Sequence, residues 1–352
     1  MGKPRTQVAE FEKRFAEYVG AEHAIAVSSC TTALHLALAV SGIESGDEVL
    51  CPSLSFIATA NAIAYLGARP VFVDVDLRTY NIDPACIERA ITDRTKAILL
   101  VHQIGLPADL DAILDIANRR GVKVIEDAAC AAGSQYHGKR IGAPQGELAC
   151  FSFHPRKVLT TGEGGMITTA DSEVASRLRR LRQHAMSVSD LARHSSNQVV
   201  TEHYDEVGYN YRLTDLQAAV GIVQLGRLNE LVQRRRFLAQ RYSQELSKVS
   251  WLVPPYEPEN MRSNYQSYMV RLTADAPINR DELMQHLLDR GISSRRGIMA
   301  SHREKPYWDP AVDRYLPNTS LLADTAIILP VFHQMTDEQQ EHVITSIREV
   351  GR

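Results

Sequence analysis

The sequence predicts an α/β protein: a mostly parallel, doubly wound sheet with helices on both faces, followed by a smaller α+β domain. Three observations predict it. Short apolar runs alternate with helical-period segments, the pattern of βα units around a buried parallel sheet. Several of these runs end in hydroxyl, carboxylate or lysine residues, at the edge where such sheets bind ligands. A long stretch with few helix breakers, GYNYRLTDLQAAVGIVQLGRLNELVQRRRFLAQRYSQEL, then leads into a shorter set of strands and helices. This divides the chain into a large domain over 1–228 and a small C-terminal domain over 229–352.

Taken in order, residues 7–19 (QVAEFEKRFAEYV) place Val8, Phe11, Phe15 and Val19 at helical spacing and stop before Gly20, an amphipathic opening helix. A strand over 24–27 meets Ser28, Ser29, Cys30, Thr31 and Thr32, and an apolar helix follows from Ala33. Strand, hydroxyl-rich turn and helix N-terminus offer backbone N–H groups and hydroxyls to an anion; the same turn also suits simple N-capping by Ser29 or Thr31. Next come a strand over 48–51, a loop holding Phe56, a helix over 59–66 and a strand over 70–75. TKAILLVHQIG is a further buried strand and DLDAILDIANRRG a further helix.

The strand from Val122 ends its apolar run in Glu126 and Asp127. A carboxylate there is poorly placed for water, so it has a positive partner or belongs to a site, unless Asp127 merely caps a helix. ELACFSFH is the strand that delivers Lys157, within FSFHPRKVLTTGEGG, and GMITTAD is its return strand. From Glu173 the pattern is helical and basic, and a Ser- and His-rich segment then runs to about residue 202, an excursion near the site or a subunit contact. Thr214 or Asp215 caps the long helix. Beyond it SYMVRLTAD reads as a strand, NRDELMQHLLDRG as a helix, ASHREKPYW as a loop and TAIILPV as a strand. TDEQQEHVITSIREV closes the chain as a helix capped by Thr336 or Asp337.

Composition narrows the function. With 352 residues and 44% hydrophobic content the chain can bury a sizeable core, and Lys+Arg 39 against Asp+Glu 42 leaves no electrostatic footprint for nucleic acid. Cys30, Cys51, Cys86, Cys130 and Cys150 are odd in number, scattered and without C-x-x-C spacing, which argues against a disulfide framework and a zinc site. The charged N-terminal stretch lacks an apolar signal region and no run approaches ~18 apolar residues, so a soluble cytoplasmic protein is expected.

The turn at Ser29 to Thr32, Phe56, Asp127 and Lys157 form a coherent set, each at the carboxyl end of an expected strand. Pyridoxal phosphate asks for all four: donors for its phosphate, a flat face for its ring, a carboxylate for its pyridinium nitrogen and a lysine for the Schiff base.

The residues here resemble the DegT/DnrJ/EryC1/StrS family of sugar aminotransferases, over nearly the whole chain. The matching motifs are SSCTTALHLAL (28–38), PSLSFIATANAI (52–63), IEDAACAAGS (125–134), FSFHPRKVLTTGEGG (151–165) and GYNYRLTDLQAA (208–219). The resemblance implies an aspartate-aminotransferase-like fold (fold type I), a three-layer sandwich with a mostly parallel central sheet, and pyridoxal 5'-phosphate as cofactor. It implies that Lys157 forms the Schiff base and that Asp127 partners the pyridine nitrogen. Phe56 falls where the family stacks an aromatic ring, and Cys30, Thr31 and Ser152 where it contacts the phosphate. Asn210 matches a position that reaches the cofactor of the neighbouring subunit, so a homodimer with shared active sites is expected. His302, Arg295 and Arg296 lie in RRGIMASHREKPYW, similar to a family loop near the acceptor. Two departures stand out. Cys130 occupies a position near the cofactor's 3-hydroxyl where the family usually has Gln or His, and Phe11 already aligns with the family's opening helix, so either the start is truncated or this member lacks the usual arm before it.

The function so implied is ping-pong transamination from glutamate or glutamine to a keto sugar, a nucleotide-linked keto-deoxysugar, in cell-surface polysaccharide or secondary-metabolite biosynthesis. The alternatives are an aminocyclitol aminotransferase acting on a keto-inositol and a non-catalytic regulator that kept the fold. A sugar dehydratase of this family would carry histidine in place of Lys157.

Overall fold

The computed structural model describes residues 6–143, 145–188 and 201–350, so part of the Ser- and His-rich segment expected to run to residue 202 lies outside the described residues. Helix α1 (Gln7–Val19) starts on Thr6, whose hydroxyl accepts the N–H of Ala9, and ends at Gly20, which takes a left-handed φ of 86°. Strand β1 (His23–Val27) turns at Ser28 and Ser29 into α2 (Cys30–Val40). This helix starts at Cys30 rather than Ala33, because Ser29 and Thr32 form a reciprocal capping box that satisfies the first turn.

The alternation continues through β2 (Glu48–Pro52), α3 (Ala58–Ala64), β3 (Arg69–Val73), α4 (Pro84–Ala90), β4 (Thr95–Val101), α5 (Leu110–Arg120) and β5 (Lys123–Asp127). A short hairpin of β6 (Gln135–Tyr136) and β7 (Lys139–Arg140) precedes β8 (Leu148–Ser152). β9 (Gly165–Thr169) returns beside β8 and leads into α6 (Ser172–Leu181). Helix α7 (Asp215–Leu246) opens on a capping box between Thr214 and Gln217. After it come β10 (Leu252–Val253), β11 (Met261–Arg262), β12 (Tyr268–Leu272), α8 (Arg280–Leu288), β13 (Arg295–Arg296), α9 (Pro310–Asp313), α10 (Pro317–Thr325), β14 (Ala326–Leu329) and α11 (Asp337–Arg348). Helices α4, α9 and α10 begin at or beside a proline and are short, which is why apolar periodicity does not reveal them.

Among the described residues the large sheet has the order β1-β9-β8-β5-β4-β2-β3. Neighbours from β8 through β3 are parallel, while β9 runs antiparallel to both β8 and β1. The C-terminal ends of β1, β2, β4, β5 and β8 therefore share one edge. Successive side chains on each strand enter opposite cores, as the period of two demands. Ala24, Leu50, Leu100 and Phe151 pack on one face with α1, α5 and α7; Ile25, Val49, Leu99 and Cys150 pack on the other with α2, α3 and α6. Both faces are buried, and the sheet is the middle of three layers.

The second sheet, β10-β12-β14-β13, is antiparallel and has its own core. Helix α7 serves both cores: Leu228 and Val232 pack on the large sheet, and Leu238, Tyr242 and Leu246 on the small one. The chain between β10 and β12 leans back on the large-sheet side, where β11 pairs with β6. Among the described residues no helix is long and apolar enough to cross a membrane.

Strand β8, which carries the lysine loop, is braced by aromatic packing. Phe15 lies 5.0 Å from Phe151 and 5.6 Å from Phe153 between ring centroids, and Phe11 lies 5.3 Å from Phe153. Helix α7 reaches this stack because position 221 is glycine; a Cβ there would sit 2.6 Å from the Phe11 ring. Phe15→Ala, at a fully buried position, is expected to lower the unfolding free energy by roughly 3 to 5 kcal/mol in urea titration. A loss below about 1 kcal/mol would show that the stack does not brace the strand.

Candidate active site

Lys157 is set by a loop that folds back on itself as β8 leaves the sheet. The N–H of Phe153 donates to Gly164 O at 2.8 Å, and Phe153 O accepts from Thr161 N at 3.0 Å and Thr160 Oγ1 at 2.9 Å. The Lys157 N–H donates to His154 O at 2.9 Å. Gly162 takes the left-handed φ of 83° that closes the loop. At Gly165 a Cβ would lie 2.5 Å from the Ser29 carbonyl, so only glycine lets β9 pass so close to the start of α2.

From this loop the Lys157 ammonium donates to Cys130 Sγ at 3.2 Å. Burial works against the charge, but Cys130, Cys30 and Asp127 outweigh it and hold the amine above its ordinary 10.5.

The two strand-end carboxylates of β5 divide the roles the sequence left open. Glu126 and His102 are buried together, with His102 Nε2 3.0 Å from Glu126 Oε2. His102 Nδ1 accepts the N–H of Ala108 at 3.0 Å, which leaves Nε2 to donate to Glu126, and Gly146 N–H donates to the other carboxylate oxygen at 3.0 Å. Asp127 is equally buried but has no ion pair among the described residues. Its Oδ1 accepts from Ala129 N at 3.1 Å and its Oδ2 from Thr59 Oγ1 at 2.9 Å. Burial raises its pKa above the ordinary 3.8 despite these two hydrogen bonds and the nearby positive charge of Lys157.

At the start of α2, Ser29 and Thr32 are used for capping. The anion-facing groups that remain are the first-turn N–H groups, which have no partner within the helix, and the half-buried Thr31. The Cys30 thiol lies 3.6 Å from Cys150 O, and burial, then the charge of Asp127, pushes it well up. Phe56 is 68% exposed and lies on the turn that positions Thr59, whose N–H donates to Phe56 O at 3.1 Å. Ser152, at the end of β8, is buried, and its hydroxyl accepts from His154 N at 3.4 Å.

The structure thus brings Lys157, Asp127, Cys30 and Cys130 within electrostatic reach of one another. Arg295 stands at their margin: burial and then the charge of Arg156 lower its pKa, and Cys130 acts against that shift. Arg296 is exposed and pairs through its backbone with Ile327. Asn210 is also exposed and bridged through its backbone to Gln183. His302 differs from the expectation of a substrate contact. It is fully buried, with Nδ1 2.6 Å from Ser53 Oγ and Nε2 2.8 Å from Asp313 Oδ1, so its ring has no free nitrogen for a substrate. It braces the exit of β2 instead.

Sequence reasoning missed Thr59 and His102, and with them Asn264, which donates to Cys130 O, and Gln266, which accepts the N–H of Val158. Thr59 lies inside the recognised stretch PSLSFIATANAI and marks the first turn of α3, a signal that was present; the others have no local pattern to betray them.

The residues fit pyridoxal phosphate. A buried carboxylate touched by no cation suits a protonated ring nitrogen, the lysine suits a covalent link, and the helix start suits a phosphate. The sheet order, the lysine loop after β8 and the Asp127 carboxylate fit the fold type I class of pyridoxal-phosphate-dependent enzymes.

The family model for the DegT/DnrJ/EryC1/StrS aminotransferase family matches residues 3–348, and the chain belongs to that family. Among solved structures it is similar to the aminotransferase TlmJ from Streptoalloteichus hindustanus, at 38% identity over 98% of this chain and 90% of that one, with a TM-score of 0.88. It is similar to DesV of S. venezuelae at 35% identity over 100% of this chain and 90% of that one, TM-score 0.89. It also resembles Spr1654 of Streptococcus pneumoniae, described as a candidate sugar aminotransferase and solved in a PLP form, at 26% identity over 99% of this chain and 91% of that one, TM-score 0.89.

Because the folded-state pKa of Asp127 is raised, the cofactor-free protein loses stability as pH rises from the ordinary 3.8 through that higher value. Asp127→Asn keeps an acceptor for Ala129 N–H and removes the buried charge. The cofactor-free variant is expected to melt with wild type at acid pH and at or above it near neutral pH, while turnover falls by orders of magnitude. A cofactor-free variant that melts well below wild type near neutral pH would contradict this account.

Proposed function

We propose that the chain transfers an amino group from glutamate or glutamine to a keto sugar, a nucleotide-linked keto-deoxysugar, with Lys157 and Asp127 as the catalytic pair. The observation that carries this reading is the Lys157 amine held at Cys130 beside a buried Asp127 that no cation touches. Pyridoxal phosphate, when bound, supplies the electron sink that stabilises the carbanion at the donor's α-carbon.

The chain's residues would do the rest. Lys157 would hold the cofactor covalently; as a free amine it would carry the proton from the donor's α-carbon to the cofactor and, in the second half-reaction, from the cofactor to the former carbonyl carbon of the acceptor. Asp127 would keep the ring nitrogen protonated. The backbone at Cys30 and Thr31, with the Ser152 hydroxyl, would hold the phosphate, Phe56 would offer its ring to the cofactor's, and Cys130 would serve the 3-hydroxyl. Arg295, beside Arg156 at the margin, offers positive charge to an anionic substrate.

Asn210 would complete the site of a second copy. Its exposure supports this, as does an apolar stripe on the first turns of α7, where Leu216 is 83%, Val220 47% and Val223 64% exposed at helical spacing. The five free thiols, three of them buried, support a reducing, cytoplasmic setting.

Two experiments test the proposal. Incubation with glutamate or glutamine and a panel of nucleotide-linked keto sugars and keto-inositols, read by mass spectrometry, is expected to yield an amino sugar. Amination of keto-inositols alone would assign the aminocyclitol reading, and no amination with an unbleached visible band would sink both. For the shared site, Lys157→Ala and Asn210→Asp are each expected to be nearly inactive alone. Unfolded, mixed and refolded together they should regain activity, since one site in each mixed dimer is intact. A mixture as inactive as its parts would exclude sharing.

A further inference from the structure

We infer that Gln266, aided by Asn264, is a positioning residue that fixes the peptide groups on both sides of Lys157 and locks the lysine loop to the turn after Asp127. The inference rests on the reading of Lys157 as the cofactor-holding lysine.

Gln266 lies on the extended segment entering β12, far in sequence from both loops. Its side-chain Oε1 accepts the N–H of Val158 at 2.9 Å, and its Nε2 donates to Arg156 O at 2.8 Å. One amide thus pairs with the peptide groups immediately before and after Lys157, as a neighbouring strand would. Asn264 does the same for the other loop. It is fully buried, and its Nδ2 donates to Cys130 O and Ala132 O, both at 2.8 Å. The two are coupled: Asn264 Oδ1 accepts the backbone N–H of Gln266 at 2.8 Å. The Lys157 to Cys130 contact is therefore framed on both sides by a single short segment.

That segment is itself held from behind. Arg235 of α7 donates to Tyr265 O at 2.8 Å and Gln266 O at 2.7 Å, and burial pushes its pKa down to about 10. The fit around Asn264 leaves no slack, because a Cβ at Gly105 would lie 1.9 Å from Asn264 Oδ1. A terminal amide is required at Gln266: it must accept at one atom and donate at another, which a carboxylate or a methyl thioether cannot do. The consequence is chemical. Lys157 must bond the cofactor and later return to proton transfer within hydrogen-bond reach, and a shift of about 1 Å in such a group costs roughly 100-fold in rate.

The test uses the full-length protein, stripped of cofactor and given pyridoxal phosphate, with capture followed by the visible band. Gln266→Met keeps the length of the side chain and removes both hydrogen bonds. It is expected to slow capture by roughly 10- to 100-fold and to lower kcat similarly with the donor's KM little changed. Gln266→Glu keeps the acceptor for Val158 N–H and loses the donor to Arg156 O. Protonating that carboxyl restores the donor, so its capture rate relative to wild type should rise as pH falls toward about 4.3, whereas the ratio for Gln266→Met stays flat.

Wild-type capture by Gln266→Met, or a Gln266→Glu ratio that does not move with pH, would overturn the inference. Capture needs no acceptor, so the outcome is independent of the keto sugar reading. If Lys157→Ala captures cofactor as wild type does, the fault lies in the assignment of Lys157 and not in the frame around it.

Discussion

A carboxylate buried at the end of a central strand is unstable as an anion unless its charge is met, and the architecture around Asp127 follows from that constraint. Two hydrogen bonds, from Ala129 N–H and Thr59 Oγ1, leave its pKa raised, so the cofactor-free chain carries an unmet electrostatic cost at this point. The protonated ring nitrogen of the proposed cofactor contact would meet that charge. Its neighbour Glu126, one residue earlier and therefore on the other side of the sheet, has its charge met by His102 and Gly146 within the chain. Adjacent carboxylates thus stand in opposite states, one with its charge met within the chain and one without an ion pair among the described residues.

The rest of the site is built to face that carboxylate. Parallel strands put the ends of β1, β2, β5 and β8 on one edge, so residues far apart in sequence meet there. Phe11 and Phe15 hold β8 in place from one face through Phe151 and Phe153. The segment entering β12 holds the loops on the other side of the lysine through Asn264 and Gln266. The smaller sheet thus reaches the lysine loop through a connection at its margin, and helix α7 packs on both sheets.

Much of this was legible in the chain. Short apolar runs and period-3.6 patterns gave the strands and long helices, because burial on both faces of a parallel sheet leaves near-continuous apolar runs. Helix boundaries shifted where side chains capped the backbone, as at Ser29 with Thr32, and short proline-started helices went unseen because they have too few turns to show a period. The lysine, the aspartate and the hydroxyl-rich turn were visible because each breaks an apolar run at its end. His302 was placed near the acceptor only by the likeness of its loop, and the packing against Ser53 and Asp313 shows both ring nitrogens occupied.

By itself the sequence determined which chemical groups stand at the ends of which strands, and hence the class of cofactor they suit, since local order along the chain encodes both. Tertiary structure alone decided which groups share a charge environment and which amides hold the loops. Thr59 beside Asp127, Cys130 against Lys157, and Gln266 bracketing Lys157 from residue 266 all depend on contacts between distant segments. No periodicity or spacing carries that information, because hydrogen bonds and desolvation act through space rather than along the chain.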